Sequence, residues 1–270
     1  MEQRKFNGDR LKKARIYNGI SLTDLAMQAD IKKQSISLYE NGKNVPDHEK
    51  VRVLARILGF PYDYFFQKDK IKAYTETTYF RSQATATKKD RAAQSVKLEF
   101  VSQMYETLWN YIDFPVYKDP KLDFIGYDDP LDCESQDAID EMEEAVAKVK
   151  KCWRVPSGPI KDLQYLLEQN GILVTGFSIG EDKIDAFSQR TIIDNADVFL
   201  IAVALGSRPE CRLRFDMAHE LGHIVLHPWS EDIESLSKEE FKARERQANM
   251  FASAFLLPRD SFSKDVSQYP

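Results

Sequence analysis

Residues 217–227, MAHELGHIVLH, hold three of the four histidines of a 270-residue chain and set a carboxylate directly after the first of them. Phe215, Ala218, Leu221, Ile224, Val225 and Leu226 surround them in the pattern of a buried helix. On such a helix His219 and His223 lie four apart, project from one face and can grip one ion, while Glu220 points elsewhere. That is the place for a general base acting on a water that bound zinc acidifies to a pKa of about 7. Two histidines do not complete a site, so a third ligand has to come from another part of the chain.

His227 lies eight residues beyond His219, roughly 12 Å along a straight helix axis, and Pro228 follows at once. It is expected to cap or support the helix end rather than to bind metal. The acids that follow are Glu231, Asp232, Glu234, Glu239, Glu240 and Glu245. In residues 238–258, KEEFKARERQANMFASAFLLP, the apolar face is Phe241, Ala248, Phe251, Ala252, Phe255 and Leu256. At about 100° per residue Glu245 falls inside that face, whereas Glu239 and Glu240 do not. A carboxylate among buried apolar residues is costly unless a positive group meets it. Zn2+ would do so, and so would an ion pair with Arg212 or Arg214. Asn249, one turn beyond Glu245, is placed to orient a ligand histidine.

The chain leading to this motif reads as α+β. A helix is expected from about Ser135 to Trp153, then a second over VPSGPIKDLQYLLEQNG with Pro159 in its first turn and Gly171 at its exit. ILVTGF, KIDAFSQ and DVFLIAVAL read as strands of a small sheet. Neither a GxGxxG nor a phosphate-binding glycine loop occurs.

The first seventy residues differ in kind. They hold 14 Lys+Arg against 9 Asp+Glu, a charge of +5 where the remainder carries -10, so one end of the chain suits a polyanion. Between Gly8 and Phe66 short apolar-periodic segments alternate with turn signals, as in a bundle of about five short helices. Ser21 caps the second and Asp47 the fourth, with Leu22, Leu25, Ala26, Ile31, Ile36, Leu54 and Leu58 as core. The second and third helices, joined by a tight turn at Asp30, have helix-turn-helix spacing. Lys32, Lys33, Gln34, Ser35 and Ser37 head the third helix, where such side chains read base edges. Asn41 and Lys43 would lie against the phosphate backbone.

QSISLYENGKNVP at 34–46, within residues 8–66, resembles the Xre/Cro type of phage repressor domain. RFDMAHELGHIVLH followed by ERQANMFASAFLLP resembles the ImmA/IrrE metallopeptidases, over roughly residues 135–260. That resemblance implies a zincin-like fold with His219, His223 and Glu245 holding zinc and Glu220 as the base. It also implies further helices after the LLP segment, so C-terminal shortening at Pro270 is expected.

Three parts follow: a helix-turn-helix domain over 1–68, a linker and connector helix over 69–114, and a metallopeptidase domain over 115–270. Residues 67–87 are polar and threonine-rich, as befits a linker. Val96, Phe100, Met104, Leu108 and Ile112, every fourth residue of the connector helix, call for a partner, either the second domain or a twin chain. A homodimer is expected, since repressor domains read paired half-sites. Cys133, Cys152 and Cys211 have no CxxC spacing and are odd in number, which argues for reduced thiols. The longest apolar run is Val198 to Leu205, and no secretory signal precedes it, so a cytoplasmic protein without a membrane partner is expected.

These readings imply a DNA-binding transcriptional regulator with a zinc endopeptidase domain that cleaves a repressor protein, itself or a related helix-turn-helix repressor. The alternative is a DNA-binding regulator whose metallopeptidase-like domain senses a ligand or partner with little or no proteolysis. A purely structural zinc site fits less well, because it has no use for Glu220 and is usually closed by four ligands.

Overall fold

The computed structural model describes residues 5–67, 74–80, 88–122, 135–178, 185–193, 196–206, 209–229, 236–259 and 262–263. They form two compact units, residues 1–72 with 87–104 and residues 73–86 with 105–270. Glu231, Asp232 and Glu234 lie outside the described residues.

The first unit is helical: α1 (Gly8–Tyr17), α2 (Leu22–Ala29), α3 (Lys33–Glu40), α4 (His48–Leu58) and a 3-10 turn at Tyr62–Phe66. Local chemistry fixes these ends. Ser21 accepts from the Asp24 backbone N–H and Asp47 from that of Lys50, satisfying donors that a helix start leaves orphaned. Asp30 closes α2 in the left-handed region at φ 52°, which aspartate tolerates better than most residues. Leu25, Ile36, Leu54 and Leu58 are buried as expected, while Leu22, Ala26 and Ile31 pack partly buried against them. Phe65 seals the base and is fully buried.

A bidentate ion pair locks α1 to α3. Arg15 Nε and Nη2 lie 2.6 and 2.9 Å from the two Glu40 oxygens, and Arg15 Nη1 also donates to the Ile20 carbonyl. Gly8 starts α1 so close to the end of α3 that an added Cβ would run into the Tyr39 carbonyl oxygen.

Helix α5 (Lys88–Trp109) finds a partner that neither expectation named. Phe100 packs edge-on or tilted against Tyr17, Phe60 and Tyr64, and Glu99 pairs with Lys13, so its first part is built onto the helix-turn-helix bundle itself. Its buried positions are Ala93, Gln94, Leu98, Ser102 and Tyr105, whereas Met104, Leu108 and Ile112 are exposed. The reason is geometric. A step of four residues turns about 400°, so an every-fourth stripe drifts about 40° per step and leaves any single face.

The second unit is α+β. Its sheet has the order β1-β3-β4-β2, from β1 (Tyr74–Phe80), β2 (Ile172–Ser178), β3 (Ala186–Ile193) and β4 (Ala196–Leu205). β2 runs parallel to β4, and β3 is antiparallel to both β4 and β1. The stretch expected to be linker therefore supplies an edge strand, which its threonines and aromatics suit. β4 is buried from Val198 to Ala204, hence its unbroken apolar run.

Helices α6 (Gln136–Cys152), α7 (Leu163–Gln169), α8 (Glu210–Leu226) and α9 (Lys238–Leu256) complete the unit. Helix α7 starts later than expected, because the Asp162 side chain caps it at the Tyr165 N–H; Pro159 lies outside it. Met142, Val149, Leu167, Ile201, Leu221, Phe251 and Phe255 belong to one core. Residues 216 to 224 of α8 are all buried, so this helix runs through the interior of its unit. Among the described residues no helix is long and apolar enough to cross a membrane.

A candidate metal centre and a candidate DNA interface

Helices α8 and α9 cross where both carry small residues. A Cβ on Gly222 would sit 3.1 Å from the Ala248 Cα and 3.2 Å from its carbonyl oxygen. That close approach lets one α9 side chain reach two on α8. His219 Nε2 and His223 Nε2 are 3.1 Å apart, and the Glu245 oxygens lie 3.5 Å from the first and 3.3 Å from the second. Four donors held about 2.0–2.1 Å from a tetrahedral zinc stand roughly 3.3 Å from each other, so three vertices of this size already exist. Among the described residues this is the group of histidines, cysteines and acids that could hold a metal ion.

The tautomers agree with that geometry. Asn249 Oδ1 lies 3.0 Å from His219 Nδ1; an amide oxygen only accepts, so Nδ1 carries the proton and Nε2 presents a lone pair. His223 Nδ1 meets His227 Nδ1 at 3.0 Å, and His227 Nε2 meets Gln247 Oε1 at 3.0 Å. Read from the amide oxygen inward, His227 donates from Nε2 to Gln247, accepts at Nδ1 from His223, and leaves His223 Nε2 bare. Burial and the neighbouring His223 hold the His227 imidazole well below its ordinary pKa, in keeping with a neutral relay. Burial raises the Glu245 carboxyl; it is brought down to about 2 when the two imidazoles donate to it, and once both Nε2 atoms are bare a bound cation has to supply that positive charge instead. Two lone pairs and a carboxylate thus converge on one point, which a cation suits.

The other acids and bases have other work. Arg212 bridges Asp185 and Asp216 at 2.9 and 3.1 Å, and Arg214 donates to the Ile160 and Lys161 carbonyls, so the ion pair considered for Glu245 does not form. Glu240 closes a capping box with Ser237 at the start of α9. His227 is the C-cap residue of α8, its backbone N–H donating to the His223 carbonyl.

Residues 167–270 match the family model of the peptidase family described as the IrrE N-terminal-like domain. Residues 8–71 match that of a helix-turn-helix domain. The chain joins a helix-turn-helix domain to an IrrE-like peptidase domain. No curated protein matches it. It is a DNA-binding regulator with a peptidase-like second domain.

In the IrrE-like domain Glu220 is fully buried, and Ser188 of β3 donates its hydroxyl to Glu220 Oε2 at 2.6 Å. Sequence reading missed both Ser188 and Gln247. Gln247 left no signal by the test that found Glu245: at about 100° per residue it falls outside the apolar face of α9, farther out than Glu240, and only the fold shows it buried. Ser188 left none either; its partner is 32 residues away and a serine on a strand is unremarkable locally.

In the helix-turn-helix domain Lys32, Lys33 and Gln34 are exposed at the head of α3, with Ser35 and Ser37 half-buried behind them. Lys32 is the N-cap residue and makes no side-chain cap bond. Beyond the helix Asn41 and Lys43 are exposed, but the Asn41 amide donates to the Ser37 carbonyl at 2.7 Å. Its donor is spent closing α3, which leaves Lys43 as the cation at that end.

Proposed function

We propose that this protein is a transcriptional regulator whose IrrE-like domain is a zinc endopeptidase acting on a repressor protein. The observation that carries the reading is the triangle of His219, His223 and Glu245, with Glu220 beside it. Nε2 of the two histidines and the Glu245 carboxylate would hold Zn2+, which when bound supplies Lewis acidity toward a water and a peptide carbonyl. Asn249 and the His227–Gln247 relay keep both imidazoles in the required tautomer and orientation. Glu220 serves as the base that takes a proton from the attacking water and returns it to the leaving amine. The Ser188 hydroxyl, donating to Oε2, fixes how the Glu220 carboxylate is turned. The helix-turn-helix domain brings this chemistry to an operator, with Gln34 and the serines facing base edges and Lys32, Lys33 and Lys43 facing phosphates.

The test mixes the protein with candidate helix-turn-helix repressors, with and without Zn2+, beside Glu220→Gln. Zinc-dependent fragments that vanish in Glu220→Gln support the peptidase; equal fragments with the variant refute it. No fragments in any mixture, with zinc still bound, leaves the sensor reading in its place.

A further inference from the structure

The sheet of the second unit has two edges, and only one adjoins the base. Glu220 is bonded to Ser188 of β3, whereas β2, at the far edge, is separated from β3 by β4. Peptides commonly dock on a protein as an extended strand added to a sheet edge. A peptide reaching Glu220 in that way would have to lie along the outer side of β3. That side is taken. β1 pairs there antiparallel, with Tyr79 opposite Ser188, Phe80 opposite Phe187 and Thr78 opposite Gln189.

Two further observations bear on this arrangement. His219 and Glu220 are 0% exposed and His223 is 1% exposed, while the Glu245 side chain keeps 18% exposure, so the base and both histidines are shielded from solvent in this conformation. The ladder that holds β1 is short, with a register irregularity between Thr75 and Thr77 that leaves a regular run only from Thr77 to Phe80. β1 also comes from the segment that follows the helix-turn-helix domain, not from the peptidase-like stretch itself.

We propose that β1 is a resident strand occupying the substrate position on β3, and that an extended peptide substrate binds by displacing it. This rests on the peptidase reading of the site for its consequence, but the strand exchange itself can be tested without cleavage. Substrates are then segments able to run extended and antiparallel along Phe187 to Arg190. Whatever draws β1 off β3 switches the site on, and the chain order makes the DNA-binding domain the nearest source of that pull.

The test uses the full chain, zinc-loaded, in a Glu220→Gln background so that nothing is cut, and follows a fluorescein-labelled peptide YTETTYF by anisotropy. Thr77→Pro with Thr78→Pro removes two adjacent N–H groups, one of which must face the ladder, and so loosens β1. If the displaced state is about 10% populated or less in the parent, loosening β1 tightens peptide binding at least about tenfold. Thr77→Cys with Arg190→Cys, placed on opposed residues in a background with the native cysteines changed to serine, locks β1 when oxidised. Binding should then be lost and return on reduction. Equal affinity in the parent, proline and oxidised forms overturns the proposal, and the locked form decides if the proline form fails to fold. With Glu220 restored, cleavage of β-casein should follow the same order. If binding follows it while no form cleaves, strand exchange stands and the peptidase reading falls. Fragments of the parent ending between Tyr74 and Phe80 would make β1 a substrate and overturn its role as incumbent.

Discussion

Replacing Gly222 by valine tests whether the close crossing of α8 and α9 sets the metal triangle. The first added carbon alone would stand 3.1 Å from the Ala248 Cα, 3.2 Å from its carbonyl oxygen and 3.3 Å from the Phe251 Cβ. Carbon atoms rest about 3.5–4.0 Å apart, so the helices must separate by about half an ångström for one carbon and by more for valine's two further methyls. Metal ligands tolerate about 0.2 Å, and Glu245 reaches across this crossing to histidines 3.3 and 3.5 Å away. Overpacking of this kind costs about 1–3 kcal/mol, or roughly 2–4 °C in Tm per kcal/mol for a unit of this size. Zinc affinity should fall about 10- to 100-fold, roughly 1.4–2.7 kcal/mol and so comparable to the whole stability cost, because the strain falls on the turn that carries the candidate ligands. Competition with a chromophoric chelator measures the affinity, and circular dichroism measures the melt. Zinc bound with parental affinity by a Gly222→Val protein would refute the argument that this crossing sizes the site.

Other changes separate the parts of the molecule. Glu245→Ala should empty the site, and metal analysis showing unchanged zinc per chain would remove it as third ligand. Ser188→Ala should retain zinc and KM while kcat falls about 10- to 100-fold, because it acts only through the orientation of Glu220; a loss of zinc would assign Ser188 a structural role instead. Arg15→Ala strands the buried Glu40 carboxylate, 5% exposed, and should cost the first unit about 3–5 kcal/mol in thermal or denaturant unfolding while zinc binding in the second persists. Gln34→Ala should relax operator preference by about 1–3 kcal/mol of discrimination, whereas Lys43→Ala should weaken binding to all sequences alike and lower the salt dependence. Gel shifts on operator and scrambled duplexes at matched salt read that difference, and identical behaviour of the two variants would refute the division of roles.

The parts visible in the sequence are those whose physics is local. Ser21 and Asp47 satisfy helix-start donors three residues away, and Asp30 needs only its own backbone preference. The candidate metal triangle was local too: His219 and His223 share one turn, and Glu245 stands out by breaking the apolar face of its own helix. The parts that stayed hidden depend on pairing across the chain. β1 has a threonine-rich pattern that suits an edge strand and a linker alike, and only its register with β3, more than one hundred residues later, distinguishes the two. Helix α5 was legible as a helix but not as part of the first unit, since Phe100 needed Tyr17, Phe60 and Tyr64 to be gathered first.

A rule for reading buried polar residues follows from Glu245 and extends to its neighbours. A carboxylate inside an apolar arc costs several kcal/mol unless it is met, so its presence implies a partner before the partner is known. Gln247, buried although it lies outside the apolar face of α9, obeys the same reasoning; its partner is His227, which in turn fixes His223. His227 then stops being an extra histidine beside a metal motif. The proton order that leaves His223 Nε2 bare runs through it, so a change at Gln247 should be felt at the metal through two imidazoles. Gln247→Leu removes only the acceptor at the outer end of that relay. It should let His227 turn its protonated nitrogen toward His223 and weaken zinc binding about 10-fold or more while helix content is unchanged. Parental zinc affinity in that variant would show that the relay is packing alone.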